Sequence, residues 1–327
     1  MGIEFTVFKG SPNGIVETIT KCESPTQNQV LVRITHAGIC GTDEHYRLAD
    51  MGMGHEGVGI VQEAGANVKG FRVGDVVGWG FNHTSCGNCE QCGAGEDGYC
   101  LKREHYGQNS IHQGAFGSHA IWDASALYRI PEGLAPEHAA PLLCGGASVF
   151  GAIEVGNIRP THRVGVVGIG GLGHLAIQFL AKMGATAVAL SNTESKREEA
   201  LGLGAAEFHV INVEMSVKPV DYLLVTTSMM PDWNLLLGIV KPRGTVLLLT
   251  VSFGTFELPA LPVVIFGLNI RGSSIAGHSA IQNMLEFSAR RGIKPIIERF
   301  PMTKSGVEEG MAKLREGKVR YRAVLCA

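Results

Sequence analysis

The sequence predicts an α/β protein of two domains, one β-rich and one built on a six-stranded, doubly wound sheet. Three observations predict it. The chain has 327 residues, which exceeds the roughly 100 to 200 residues of a typical domain and leaves room for two cores. From Gln29 to Tyr128, short runs rich in valine and isoleucine are separated by Gly, Asn and Asp turns, the pattern of antiparallel strands. After Ser148, apolar strands alternate with longer helical stretches, the signature of βαβ units and a parallel sheet.

Composition excludes several classes. Apolar residues make up 45% and charged residues 18% of the chain, too hydrophobic a balance for disorder. A net charge of -2 offers no general attraction to phosphate, so nucleic acid is not an expected partner. The N-terminus has Glu4 early and no basic cluster; no secretory signal is expected, and a cytoplasmic location is. Glycines interrupt the charge-free stretch Val164 to Ala181, so no membrane span is expected there. Eight cysteines in a reducing compartment point to metal or redox chemistry before disulfides.

Taken in order, Val30 to Ile34, Gly57 to Val61 and Val73 to Val77 read as strands of the first domain. Those of the second are Arg163 to Val167, Thr186 to Leu190, Glu207 to Ile211, Asp221 to Val225, Thr245 to Val251 and Leu268 to Ser273. A helix from Ser279 to Arg291 carries Ile281, Met284, Leu285 and Ser288 on one face and stops at Gly292. It leads to a tail whose runs Ile296 to Phe300 and Arg320 to Leu325 complete the first domain as strands. The expected domains are 1–147 with 292–327, and 148–291.

Cys86, Cys89, Cys92 and Cys100 have the spacing with which four thiolates close a tetrahedron around a structural zinc; an iron-sulfur cluster is the alternative. Gly168-Ile169-Gly170-Gly171-Leu172-Gly173 follows the strand ending at Val167 and opens a helix running to Met183. In that context Gly168 makes the tight turn, Gly170 admits a pyrophosphate to the backbone and Gly173 allows close helix packing. The helix N-terminus adds free N–H groups. At the end of the next strand, Ser191-Asn192-Thr193-Glu194-Ser195-Lys196-Arg197 places no acid where NAD needs one for its ribose hydroxyls. Hydroxyls at Ser191 and Thr193 and cations at Lys196 and Arg197 favour NADP; an ordinary helix start is the alternative. Cys40, His55 and Cys144 are further metal-ligand types, although spacing alone does not link them.

Nearly end to end, the chain resembles the zinc-dependent medium-chain dehydrogenases/reductases, most of all their cinnamyl alcohol dehydrogenase branch. The resemblance is carried by Gly38-Ile39-Cys40-Gly41-Thr42-Asp43, Gly54-His55-Glu56, the four-cysteine lobe at 86–100, Pro141-Leu142-Leu143-Cys144, the glycine loop, Gly272-Ser273-Ser274-Ile275 and Val319-Arg320-Tyr321-Arg322. It implies a GroES-like catalytic domain, a Rossmann domain, a homodimer and two zinc ions per chain, the catalytic one held by Cys40, His55 and Cys144. Thr42 is then expected to bond the substrate oxygen and His45 to relay the proton; histidine suits a relay near neutral pH. Asp43 would orient the His55 ring, and Glu56 would approach the metal when substrate leaves. For the cofactor, the resemblance adds Ser148, Thr250, Ser273, Ser274 and Ile275 to Gly168, Gly170, Gly171, Leu172, Gly173, Ser191, Asn192, Thr193 and Lys196.

The implied activity is hydride transfer between NADP(H) and an aldehyde or primary alcohol, aromatic or allylic, a small-molecule substrate. Alternatives are reduction of a conjugated alkene or iminium, and a non-catalytic cofactor sensor. Two segments, 41–54 and 211–221, are shorter than the family's, and the first also lacks the usual proline before Gly54-His55-Glu56 and so bears on substrate specificity; separately, Ser274 stands where the branch commonly has Phe. Cys22 and Cys326 receive no role.

Overall fold

Along Gln29–Ile39, alternation turns Val30, Val32 and Ile34 inward and Arg33 to solvent. There they join Trp79, Phe116 and Trp122 in one buried cluster. This strand is the hub of a sheet that runs Ile297–Pro301, Arg322–Cys326, Gln29–Ile39, Glu56–Ala64, Val76–Trp79 and Tyr128–Arg129, with His119–Asp123 also paired to the hub. Its pairs are antiparallel except Ile297–Pro301 with Arg322–Cys326. A parallel pair needs a crossover, and Lys304–Arg315 supplies it as a helix that buries Val307 and Met311. The helix sits close: a Cβ added at Gly310 would lie 2.6 Å from Ile39 Cδ1.

The computed structural model describes residues 2–227, 229–249, 251 and 254–327. The chain divides into two compact units, Met1–Cys144 with Gly277–Ala327, and Gly145–Ala276. The strands expected of the first domain are present except that the run Val73 to Val77 begins as a turn at Val73–Gly74 and its strand is Val76–Trp79, whereas the antiparallel hairpin Ile3–Lys9/Val16–Cys22 escaped sequence reading. Its second strand leaves Val16 and Ile19 exposed, so the inward–outward alternation that marks a strand is weak there.

In the second unit the six strands are all parallel, in the order Glu207–Val210, Thr186–Ser191, Arg163–Val167, Val220–Val225, Val240–Leu248 and Asn269–Gly272. Both faces are apolar: Val188, Leu190, Leu223, Val225 and Val246 are buried on one and Val166, Ala189, Leu224 and Leu247 on the other, as a parallel sheet covered by helices requires. Strand order reverses beside Arg163–Val167, and ligands of doubly wound sheets bind at that switch point, outside the C-terminal strand ends.

The helix expected from Ser279 to Arg291 runs His278–Arg291 and falls in the first unit. Asp97 Oδ1 accepts from the His278 backbone N–H at 2.9 Å, the His278 ring stacks on Tyr128 at 4.5 Å, and Gln282 bonds both backbone groups of Arg129. The helical run Pro136–Val155 is long and apolar enough to cross a membrane, but most of it is buried inside the structure, as in a core helix.

Candidate functional site

Cys40 caps the six-residue helix Gly41–Tyr46, with its Sγ accepting from the Thr42 N–H at 3.3 Å. Asp43, one turn in, accepts from the Cys40 N–H through Oδ2 at 2.9 Å and bonds His55 Nδ1 through Oδ1 at 3.0 Å. Because a carboxylate only accepts, Nδ1 carries a hydrogen and His55 Nε2 faces Cys40 Sγ, 3.3 Å away. Cys144 arrives on the π-helical turn Leu142–Gly146, a distortion frequent at functional sites. Ligand atoms of Cys40, His55, Glu56 and Cys144 all lie within 4.8 Å of one another.

The surroundings hold this set in place. Tyr106, buried, accepts the Gly54 N–H at its hydroxyl (3.0 Å) and lays its ring 4.7 Å from that of His55. Phe81 meets the same imidazole edge-on at 5.9 Å. Gly54 has φ +87, and a Cβ there would meet Phe116; glycine therefore precedes His55. Glu56 is fully buried, with Oε1 paired to Arg322 Nη2 and Oε2 without a hydrogen-bond partner among the described residues. Burial pushes the Glu56 carboxyl up while Arg322 opposes the rise.

A hydrogen bond from Cys144 holds the Cys40 thiol well below the usual thiol range, against burial and with help from His55. Burial works against a charged His55, but Cys40 and Asp43 outweigh it and raise its pKa. Two sulfurs, one nitrogen and a buried carboxylate oxygen without a hydrogen-bond partner among the described residues form a donor set that fits zinc. Thr42 is half-buried beside the cluster and His45 exposed at the end of the same helix.

The second cluster joins Cys86, Cys89, Cys92 and Cys100, with sulfurs 3.5 Å apart for Cys89 and Cys92, 3.6 Å for Cys86 and Cys100, and 3.9 Å for Cys86 and Cys92. Backbone N–H groups, that of Asn88 first, draw the Cys86 thiol down to about 6. Four converging sulfurs with a depressed thiol fit a closed zinc site.

In the second unit the glycine loop follows Arg163–Val167 directly. Gly168 has φ +87, and a Cβ at Gly173 would fall 1.8 Å from the Gly168 carbonyl oxygen. Ser191 is buried at the end of the next strand, with its Oγ accepting from the Thr193 N–H at 3.3 Å. Asn192, Gly168, Thr227 and Ile211 share a small cavity of about 60 Å³. Lys196 is half-buried. Arg197 is committed elsewhere: it pairs with Glu194, bonds the Phe208 carbonyl at 3.2 Å and lies over the Phe208 ring. Ser148 is half-buried in the helix Ala147–Val155, and Ser273, Ser274 and Ile275 follow the edge strand, with the Ser273 N–H bonded to the Leu248 carbonyl. Thr250 lies outside the described residues.

Sequence reasoning missed Tyr106, Phe81 and the role of Arg322. The first two carry no motif, and Arg322 figured only within the closing tetrapeptide.

The chain is similar to known proteins along most of its length. Residues 26–132 match the family "Alcohol dehydrogenase GroES-like domain" and residues 171–290 the family "Zinc-binding dehydrogenase". The chain is 31% identical to an aldehyde reductase of Synechocystis over 91% of each protein, and 33% identical to cinnamyl alcohol dehydrogenase 8 of Arabidopsis thaliana over 91% of this chain and 88% of that one. Among solved structures, a cinnamyl alcohol dehydrogenase from Sorghum bicolor superposes with TM-score 0.91 at 29% identity, covering 99% and 98% of the two chains. A CAD from Helicobacter pylori complexed with NADP(H) gives 0.90 at 25% identity, covering 100% and 99%. The chain belongs to the zinc-dependent medium-chain dehydrogenase/reductase family, closely related to the cinnamyl alcohol dehydrogenases.

Proposed function

We propose that the protein is an NADP(H)-dependent alcohol dehydrogenase and aldehyde reductase whose substrates are aromatic or allylic aldehydes and the corresponding primary alcohols. The observation that carries this reading is the buried Cys40, His55 and Cys144 donor set, oriented from behind by Asp43. Zinc held there supplies Lewis acidity toward a carbonyl or alcohol oxygen. The chain's own groups do the rest. Asp43 fixes the His55 ring and the Cys40 backbone together, so the donors stay aligned. Thr42 and His45 stand three residues apart and therefore share one face of their helix. The half-buried hydroxyl bonds the substrate oxygen, and the exposed imidazole passes its proton to solvent.

The glycine loop receives the pyrophosphate, and Ser191, Asn192, Thr193 and Lys196 receive the 2′-phosphate, with no acid at Ser191 to repel it. The relatives' names support the cofactor and substrate class. We read the two compact units as the catalytic and cofactor domains and the four-cysteine lobe as a second, structural zinc site. The protein is cytoplasmic and homodimeric in this reading. Support for the dimer is the open edge strand Asn269–Gly272 near exposed Leu261, Val264, Ile265 and Phe266, an apolar surface that a second copy would cover.

Oxidation of NADPH and NADH is to be followed with cinnamaldehyde as substrate. NADPH is expected to be the better cofactor, and Ser191→Asp to weaken it by about tenfold or more while admitting NADH, since a carboxylate repels the phosphate and accepts from ribose hydroxyls. Wild-type protein that uses NADH as well as NADPH would overturn the cofactor assignment.

A further inference from the structure

We infer that Thr226 and His174 are positioning residues for the cofactor pyrophosphate, acting through the carbonyl groups of the glycine loop. The inference rests on the nucleotide-binding reading above and deepens it. A loop that offers N–H groups to a phosphate must keep its carbonyl oxygens away from that charge. In a planar trans peptide the N–H of one residue points opposite to the C=O of the residue before it. Whatever grips a carbonyl from inside the protein therefore aims the next N–H outward.

Both grips are present. The Thr226 hydroxyl lies 2.8 Å from the Val167 carbonyl oxygen and 2.8 Å from that of Gly168, and shares its hydrogen between them. The Gly168–Ile169 peptide is fixed as a result. His174, fully buried as the second residue of the helix Gly173–Met183, has its Nδ1 2.8 Å from the Gly170 carbonyl oxygen, and the His174 backbone N–H reaches the same oxygen at 3.1 Å. A carbonyl can only accept, so Nδ1 carries the hydrogen. Two donors from one residue clamp the Gly170–Gly171 peptide. The grip on Val167 leaves the Gly168 N–H bonded to the Leu190 carbonyl at 2.9 Å, whereas the N–H groups of Ile169 and Gly171, aimed by the grips on Gly168 and Gly170, bond no other group among the described residues. Gly173 completes the device: a Cβ there would sit 2.9 Å from Thr226 Oγ1 as well as against Gly168, so only glycine lets the helix close over the hydroxyl.

The test compares variants that keep a donor with variants that lose it. Thr226→Ser and His174→Asn retain a donor at the same place; Thr226→Val and His174→Leu keep bulk without one. Dissociation constants are measured for NADPH and for adenosine 2′-monophosphate, which has the adenine, ribose and 2′-phosphate but no pyrophosphate. Loss of one aligned hydrogen bond predicts about tenfold weaker NADPH binding in Thr226→Val and in His174→Leu. Near wild-type binding is expected in Thr226→Ser and His174→Asn, and unchanged adenosine 2′-monophosphate binding in all four. Unchanged NADPH binding in both donor-less variants would overturn the inference, as would equal loss of both ligands, the mark of a general structural effect. Wild-type protein that binds neither ligand would instead overturn the nucleotide-binding reading itself.

Discussion

The four thiols of the lobe come from one stretch of chain, Cys86 to Cys100, whereas Cys40, His55 and Cys144 are carried by separate parts of the fold. The lobe contains only the short helices Glu90–Gly93 and Asp97–Tyr99, and leaves three of its four sulfur-bearing residues half-exposed. Around Cys40 and His55 burial is nearly complete, and Asp43, Tyr106 and Arg322 hold the donors or their neighbours. The comparison teaches that the same donor chemistry can serve opposite ends. On the proposed reading a metal would organise the chain in the lobe, whereas at the buried cluster hydrogen bonds of the fold itself hold the donors.

The largest effect should come from breaking the lobe. Cys89→Ala removes one of four ligands from a segment with little core of its own, and the binding energy of such a site is folding energy. The melting temperature is expected to fall by roughly 10 °C, with one zinc lost per chain. An unchanged melting curve would mean that the lobe folds without its metal. At the buried cluster, Asp43→Asn should weaken zinc binding and aldehyde reduction by about 10 to 100-fold through a misaligned His55, while the fold persists. Equal loss of stability in the two variants would erase the distinction between the sites.

A smaller effect, away from both clusters, serves as the control. Arg163 and His209 hold the Glu207 carboxyl down at about 2, from an ordinary value of 4.5. Its folded pKa is depressed, so the stabilisation is complete above the ordinary value and is lost as pH falls through about 2. Glu207→Gln should therefore be modestly less stable than wild type at neutral pH and converge with it in acid. Acid melting curves of the two proteins that stay parallel would contradict this, and zinc content should not change in either.

Legibility in the sequence followed the same division. The lobe could be read from spacing because its ligands are neighbours in the chain, and the glycine loop because strand, turn and helix are contiguous. Cys40, His55 and Cys144 could be joined only through family resemblance, since spacing says nothing about which distant segments meet. Tyr106, Thr226 and Arg322 were out of reach for a related reason: each acts by a contact with residues far along the chain. The hairpin at the N-terminus was missed because its second strand is largely exposed, and the helix His278–Arg291 is legible as a helix although its periodic apolar face does not name what it packs against.

The central claim is that Cys40, His55 and Cys144 hold a catalytic zinc distinct from that of the lobe. Zinc content, melting temperature and NADPH-dependent reduction of cinnamaldehyde measured together on wild type and Cys40→Ala test it most directly. The account predicts two zinc ions per chain in wild type, and in the variant one zinc, a nearly unchanged melting temperature and no measurable reduction. A variant that still holds two zinc ions, or that still reduces the aldehyde, would contradict it.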